Sequence, residues 1–388
     1  AESSAITSVD QISGGWSSVS FDSNAESGNN QWTATAYGNG KYVALGKVGN
    51  AYLAANSTDG INWTSYNTIP YTSYSELAYG NGVFVAVGQN KISYSTDEGQ
   101  SWSSASVTSN WYKGVVYGGG KFVAVSEDGV NARVAISSDG INWTGIPDTD
   151  GSSWQAITYG GGKFVAVSHL GDVMYSSDGT NWSTTSPSES TWWNSVAYGN
   201  GRFVAVDTGL GTMYSTDGIN WFSGNNTAGY WNDITFGDGR FVAVSNYQDS
   251  TYPYAAGHST DGETWTPSSQ SIPNTWNGVD YVNGRFIAVA SGVVDGSRMM
   301  WSPTGIDEAT QLTLTDTTVS RVSDGSLIGG TTIDQVLTVG ETVQADTTIS
   351  STVATSVFST TLFDVVDPTG GTGWPVPMDV STGIDNTD

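Results

Sequence analysis

The chain has no cysteine, which excludes disulfides, thiolate metal sites and cysteine nucleophiles. It has two histidines, His169 and His258, far apart in the chain and not at metal-ligand spacing. Positive charge is scarce. Twelve Lys and Arg against 37 Asp and Glu leave a formal charge of −25, a field that repels phosphate backbones and anionic leaflets. Nucleic acid and membrane surfaces are therefore not expected partners. No apolar run approaches the roughly 20 residues of a membrane span, so no insertion is expected. There is no Gly-x-Ser-x-Gly elbow, and the glycine turns connect strands rather than opening a phosphate-binding helix. The chain opens on Ala1 rather than Met, which points to processing or to a piece of a longer protein.

What is abundant is glycine and aromatic surface: 49 Gly, 16 Trp and 19 Tyr in 388 residues, the composition of a folded, turn-rich, all-β chain. One phrase recurs seven times, starting at Trp32, Tyr74, Trp111, Trp154, Trp193, Trp231 and Trp276, each followed by a glycine turn and an apolar alternation. The second turn glycine falls at Gly40, Gly82, Gly120, Gly162, Gly201, Gly239 and Gly284, in steps of 42, 38, 42, 39, 38 and 45 residues. A period near 40 predicts four-stranded propeller blades.

Each unit reads as four strands. A Gly-x-Gly hairpin joins the first to a nearly all-apolar second, such as Arg202–Val206, as expected of a strand covered on both faces. The fourth begins at Trp63, Trp102, Trp143, Trp182, Trp221 and Trp265, one short of seven. Trp16, in Gly14-Gly15-Trp16-Ser17, has the form of the missing strand. The expected fold is thus a seven-bladed β-propeller over residues 11–304, closed by the N-terminal strand.

The turn before each of these tryptophans carries a polar motif, as in Ser57-Thr-Asp59-Gly60-Ile-Asn-Trp63 and, one residue longer, Ser95-Thr-Asp97-Glu-Gly99-Gln-Ser-Trp102. It resembles the Asp-box, or bacterial neuraminidase repeat, of a family of seven-bladed propellers, with a degenerate copy at Ser302. Asp59, Asp97, Asp139, Asp178, Asp217 and Asp261 are expected to be structural, each accepting N–H groups of its own turn while Gly takes positive φ and Trp plugs the blade edge.

Sialidases are Asp-box enzymes, and the resemblance implies three Arg on a substrate carboxylate, a Tyr–Glu nucleophile pair and an acid/base Asp. Six arginines are present. Arg202, Arg240 and Arg285 take the repeat position held by Lys41, Lys121 and Lys163 elsewhere, a ring that cannot converge on one carboxylate. Arg133, Arg298 and Arg321 are left, and no catalytic residue is assigned. An Asp-box glycosidase of sialidase type is the alternative reading. The repeat also resembles photosystem II assembly propellers, which rely on a basic Arg patch that the carboxylate excess argues against.

The irregular loops join the second strand to the third and the fourth to the next blade. They carry Tyr66, Trp192, Asp207, Tyr230, Tyr247, Tyr252 and Tyr254, the expected glycan-binding residues, with Trp192 and Tyr247 foremost because each breaks the repeat. No cofactor is expected. The acidic turns Ser126–Gly129 and Asp148–Gly151 can accept Ca²⁺ but match no EF-hand loop, and solvated turns are the simpler reading.

Past Gly305 the chain turns to Thr, Val, Ser and Asp, predicting a small β module over 305–363, then a Pro- and Gly-containing tail or arm over 364–388. An acidic, thiol-free display module on a Thr-rich β segment resembles phage and bacterial surface proteins; absence of cysteine suits assembly in a reducing cytosol. The expected role is a non-enzymatic virion or cell-surface structural protein, partnered by neighbouring structural subunits and surface glycans.

Overall fold

The computed structural model describes residues 8–12, 17–21, 30–48, 51–70, 73–107, 110–128, 133–146, 152–187, 192–209, 211–225, 229–248, 253–268, 274–291, 299–303, 305 and five strands between 311 and 346. The chain divides into two compact units, Gly15–Asp307 and a second made of both ends, Ala1–Gly14 with Glu308–Asp388. The second contains a four-stranded sheet in the order Ser8–Ile12, Gln311–Thr315, Thr342–Asp346, Gln335–Val339. Segment 351–388, which includes the expected arm, lies outside the described residues.

The first unit is a seven-bladed β-propeller whose blades are antiparallel four-stranded sheets, blade one carrying a fifth, parallel strand at its edge. First strands of successive blades pack against one another around the axis, and those of blades seven and one close the ring. The second strand of a blade, for instance Lys163–Ser168, is buried after its first residue because neighbouring blades cover both its faces. The seventh blade is completed from the N-terminus: Ser17 pairs with Trp301, Ser18 with Met300, and Val19 N–H donates to Met299 O at 3.1 Å. Trp16 itself lies outside the described residues. The same segment continues onto blade one, where Ser20 and Phe21 pair in parallel with Asn62 and Trp63.

Blade three corrects the repeat. The buried strand-opening aromatic is Tyr112, paired with Ser126, and Trp111 lies one residue outside it. Counted back from Gly118, Tyr112 is the equivalent of Trp32, so the sequence reading was one residue early.

Close approaches join the blades. A Cβ added at Gly38 would fall 2.1 Å from the Tyr79 ring of the next blade, and similar clashes recur through Gly237 and Tyr281. In these six blades the position therefore needs glycine; blade seven carries Val282 there.

The box turns are built on their serine, aspartate and tryptophan side chains. Asp139 Oδ1 accepts the N–H groups of Ile141 and Asn142 at 2.9 and 2.8 Å, and Oδ2 accepts the Asn142 amide at 2.8 Å. Ser137 Oγ donates to Asp139 Oδ1 and accepts Gly140 N–H, while Trp143 Nε1 donates to Gly140 O at 3.0 Å. Gly140 holds φ 75°, and its Cα faces Val85 of the preceding blade. These donors keep the Asp139 carboxyl well below the usual carboxylate range, the Asn142 N–H first among them.

Candidate functional site

In a four-stranded antiparallel blade the first hairpin and the Asp-box lie at one end, and the two remaining connections at the other. The repeat cations belong to the Asp-box end. Lys121 Nζ donates to Asp178 O at 2.7 Å, Lys163 to Asp217 O at 2.7 Å, Arg202 Nη1 to Asp261 O at 2.9 Å and Arg285 Nη1 to Asp59 O at 2.7 Å. Each reaches the box of the following blade. The degenerate seventh box has no Asp at that place, and Arg240, which precedes it, lies 3.6 Å from Asp238 of its own hairpin. In blade one the link runs from Asn39 Nδ2 to Glu98 Oε1, the residue inserted into the longer box, at 2.9 Å.

The opposite end holds the irregular loops. Trp192, just before the first strand of blade five, is 70% exposed and stacks on His169 of blade four with ring centroids 6.0 Å apart and planes 30° apart. His169 is itself fixed, with Nε2 2.9 Å from Asn194 Oδ1 and its backbone N–H on Ser153 O. Ser168 Oγ accepts the N–H groups of Leu170 and Asp172, and the Asp172 carboxylate accepts the hydroxyls of Ser152 and Ser186, each at 2.7 Å. Leu170, 60% exposed, stands in the same short loop. An exposed indole and a leucine thus sit on a hydrogen-bonded base.

Blade six adds Tyr247, 57% exposed, which meets Tyr230 edge-to-face at 5.5 Å. Of the other expected ligand residues, Tyr254 is half-buried, Tyr66 belongs to the strand Asn62–Thr68 with its side chain outside the described residues, and Tyr252 is also outside them. Asp207 turns inward. It is 3% exposed, and its Oδ1 accepts the N–H groups of Gly209 and Gly211, so it holds its own loop.

Two groups of residues were missed in the sequence. A bulge sits after the opening aromatic of six first strands, and the extra residue is Thr33, Ser75, Lys113, Gln155, Asn194 or Asn277. With Asn232 of blade six these form a half-buried polar collar. Asn246 donates to Asn232, Asn232 to Asn277 O and Asn277 to Trp32 O, at 2.7, 2.7 and 3.1 Å. The available signal was a polar residue directly after the opening aromatic in every unit.

The second group consists of Glu76, Asp233 and Asp280, on first strands of blades two, six and seven. Thr35 Oγ1 donates to Asp280 Oδ2 and Ser195 Oγ to Asp233 Oδ1, each at 2.5 Å, and Val279 N–H donates to Asp233 Oδ2 at 2.8 Å. The three keep partial access to water, yet the ring encloses them. Burial, opposed by the Thr35 hydroxyl and reinforced by the Asp233 charge, pushes Asp280 up to about 7. Burial and the charges of Asp280 and Asp233 raise Glu76 well above its ordinary value, and burial raises Asp233.

The remaining candidates are engaged locally. Glu127 pairs with Lys113 at 2.8 Å, and Asp128 Oδ1 accepts Trp111 N–H at 2.5 Å. Asp148–Gly151 lies outside the described residues, among which no group of three His, Asp or Glu side chains is placed to hold a metal. Arg133 Nη1 donates to Ser152 O at 2.5 Å. Arg298 and the Arg321 side chain are outside the described residues. His258, in the third strand of blade six, pairs with Val242.

No family model matches the chain, and neither does any curated protein. Solved propellers do. YCF48 from Cyanidioschyzon merolae superposes with a TM-score of 0.54 at 14% identity, over 74% of this chain and 98% of that one. The GH74 enzyme of Niastella koreensis gives 0.53 at 16%, over 72% of this chain and 44% of that one, so this chain spans less than half its length. The WD40 propeller domain of Doa1 gives 0.56 at 10%, over 76% and 96%. At such identities the likeness shows the fold. The resemblance to Asp-box propellers rests on the motifs alone.

Proposed function

We propose that the ring is a non-enzymatic recognition module of a virion or cell-surface structural protein, and that the face opposite the Asp-boxes binds a glycan or a neighbouring protein. The observation that carries the reading is Trp192, exposed yet seated on a fixed imidazole and flanked by Asn194 and Leu170. An indole face stacks on the C–H face of a pyranose while nearby amides and hydroxyls bond its hydroxyls. Leu170 favours the protein alternative, because a saccharide gains little from a leucine beside the ring.

The positions of the cations weigh against the sialidase alternative. Arg202 and Arg285 are held by box carbonyls of different blades, Arg240 stays beside its own hairpin, and Arg133 serves a loop carbonyl. A three-arginine clamp would need these to leave their partners. The surface or particle setting draws support from composition, namely the acidic charge, absence of cysteine and Thr-rich β unit.

A glycan array probed with the full chain and with Trp192→Ala tests the reading. Binding lost with the indole supports a glycan site. Lack of any glycan signal shifts the reading to a neighbouring protein, and hydrolysis of a fluorogenic sialoside would overturn the non-enzymatic part. Immunogold labelling of particles and cell envelopes tests the setting, which a purely cytosolic distribution would overturn.

A further inference from the structure

We propose that a cavity on the connection-bearing face, between the first and second blades, is a subsite for a small carboxylate monoanion. It stands independently of the Trp192 surface. The cavity holds about 90 Å³ and is lined by Gln31, Thr33, Lys47, Tyr52 and Ser73, among others. Three of these form a row across the sheet of blade one: Lys47 lies opposite Gln31 on one side and opposite Tyr52 on the other. Register therefore brings an amide, an ammonium and a phenol to one edge of the cavity. Lys47 Nζ stands 5.6 Å from the centre of the Tyr52 ring.

Charge is what singles out this cavity. Lys113 pairs with Glu127 at 2.8 Å, Arg202 and Arg240 each approach a carboxylate, and Lys121, Lys163 and Arg285 donate to box carbonyls, whereas Lys47 makes neither kind of contact with any described residue. A half-buried ammonium left without an anion in a chain of charge −25 is an unmatched positive site. Thr33 spends its proton on Leu45 O, at 3.2 Å, which leaves the ammonium, the Ser73 and Tyr52 hydroxyls and the Gln31 amide as donors. Such a set suits a carboxylate. One cation balances one negative charge, and the surrounding field opposes a second, so a dianionic phosphate is disfavoured. The volume corresponds to about three waters, room for a carboxylate and one or two carbons, with the rest of a larger acid outside.

The experiment titrates the full chain at low ionic strength with acetate, glucuronate, glucose and inorganic phosphate, following the backbone amide signals of Lys47 and Ser73 by NMR. Saturable, millimolar binding of acetate, with or without glucuronate, is expected, with no response to glucose. Binding should weaken about tenfold in Lys47→Met and fall away in about 0.5 M salt. An unchanged thermal midpoint certifies the variant, and Lys47→Gln replaces it if it does not fold. The proposal is overturned if the acids leave these amides unmoved, if the variant binds within twofold of the wild type, if glucose matches glucuronate, or if phosphate binds more tightly than acetate.

Discussion

Arg285 Nη1 donates to the carbonyl of Asp59 at 2.7 Å, so the final hairpin of the ring holds the first Asp-box across 226 residues of sequence. The link matches those at other blade junctions, but here the chain is not continuous from one blade to the next. Ile287 adds to it, since a Cβ on Gly60 would meet its Cδ1 at 3.0 Å.

Arg285→Met should therefore destabilise the ring by about 1–2 kcal/mol, the loss expected for a charged donor on a part-buried carbonyl. Arg240 donates to no box carbonyl among the described residues, so Arg240→Met should fall within about 0.5 kcal/mol of wild type. Urea unfolding of both variants measures the difference, and equal effects would show that the link across the seam contributes nothing.

The N-terminal strand offers a second test of closure. Val19→Pro removes the N–H that reaches Met299 O and should cost about 1–3 kcal/mol. Hydrogen exchange should then quicken first in Met299–Ser302, the strand that Ser17 and Ser18 cover. Exchange accelerating uniformly around all seven blades would contradict this.

Titration of the axial carboxylates has a definite sign. Asp280 keeps its proton up to about pH 7 when folded, whereas the unfolded chain releases it near pH 4. Between those values the folded state binds more protons, so this group makes stability fall as pH rises, and the penalty is constant above about pH 7. Asp280→Asn should raise stability at pH 8 by on the order of 1 kcal/mol, after discounting for the partial exposure of the carboxylate, and by nothing near pH 3. Chemical denaturation at the two pH values decides it.

Asp-boxes have the opposite dependence. Asp139 is held below its ordinary range by its turn donors, so its contribution is present above about pH 4 and lost as pH falls. Asp139→Asn should lower the midpoint of thermal unfolding at pH 7 and flatten its decline between pH 4 and pH 2. An unchanged slope would mean that the carboxylate charge is idle.

Adjacent tryptophans separate recognition from stability. Trp193 is fully buried between blades, and Trp193→Ala should cost about 3–5 kcal/mol. Trp192→Ala should change stability by less than about 0.5 kcal/mol while weakening ligand binding. Calorimetry alongside a binding assay checks both; a large loss of stability in the Trp192 variant would make it a packing residue.

The sequence by itself determined the number of blades, the box turns and the origin of the closing strand. The first two are set within a repeat unit, since Asp139 reaches residues only two and three positions ahead and the glycine spacing counts the hairpins, while the third was legible as the one missing fourth-strand tryptophan. Trp192 also stood out in the sequence, because it interrupts a regular pattern. What tertiary structure alone decided lies in relations between blades. Glu76, Asp233 and Asp280 are single deviations in separate units, and they act on one another only because closure sets their strands around one axis. Asp207 reads as a surface loop residue until its loop folds back onto the carboxylate. The polar collar depends on a bulge, and strand pairing determines which residue is the extra one, as the one-residue slip from Trp111 to Tyr112 shows.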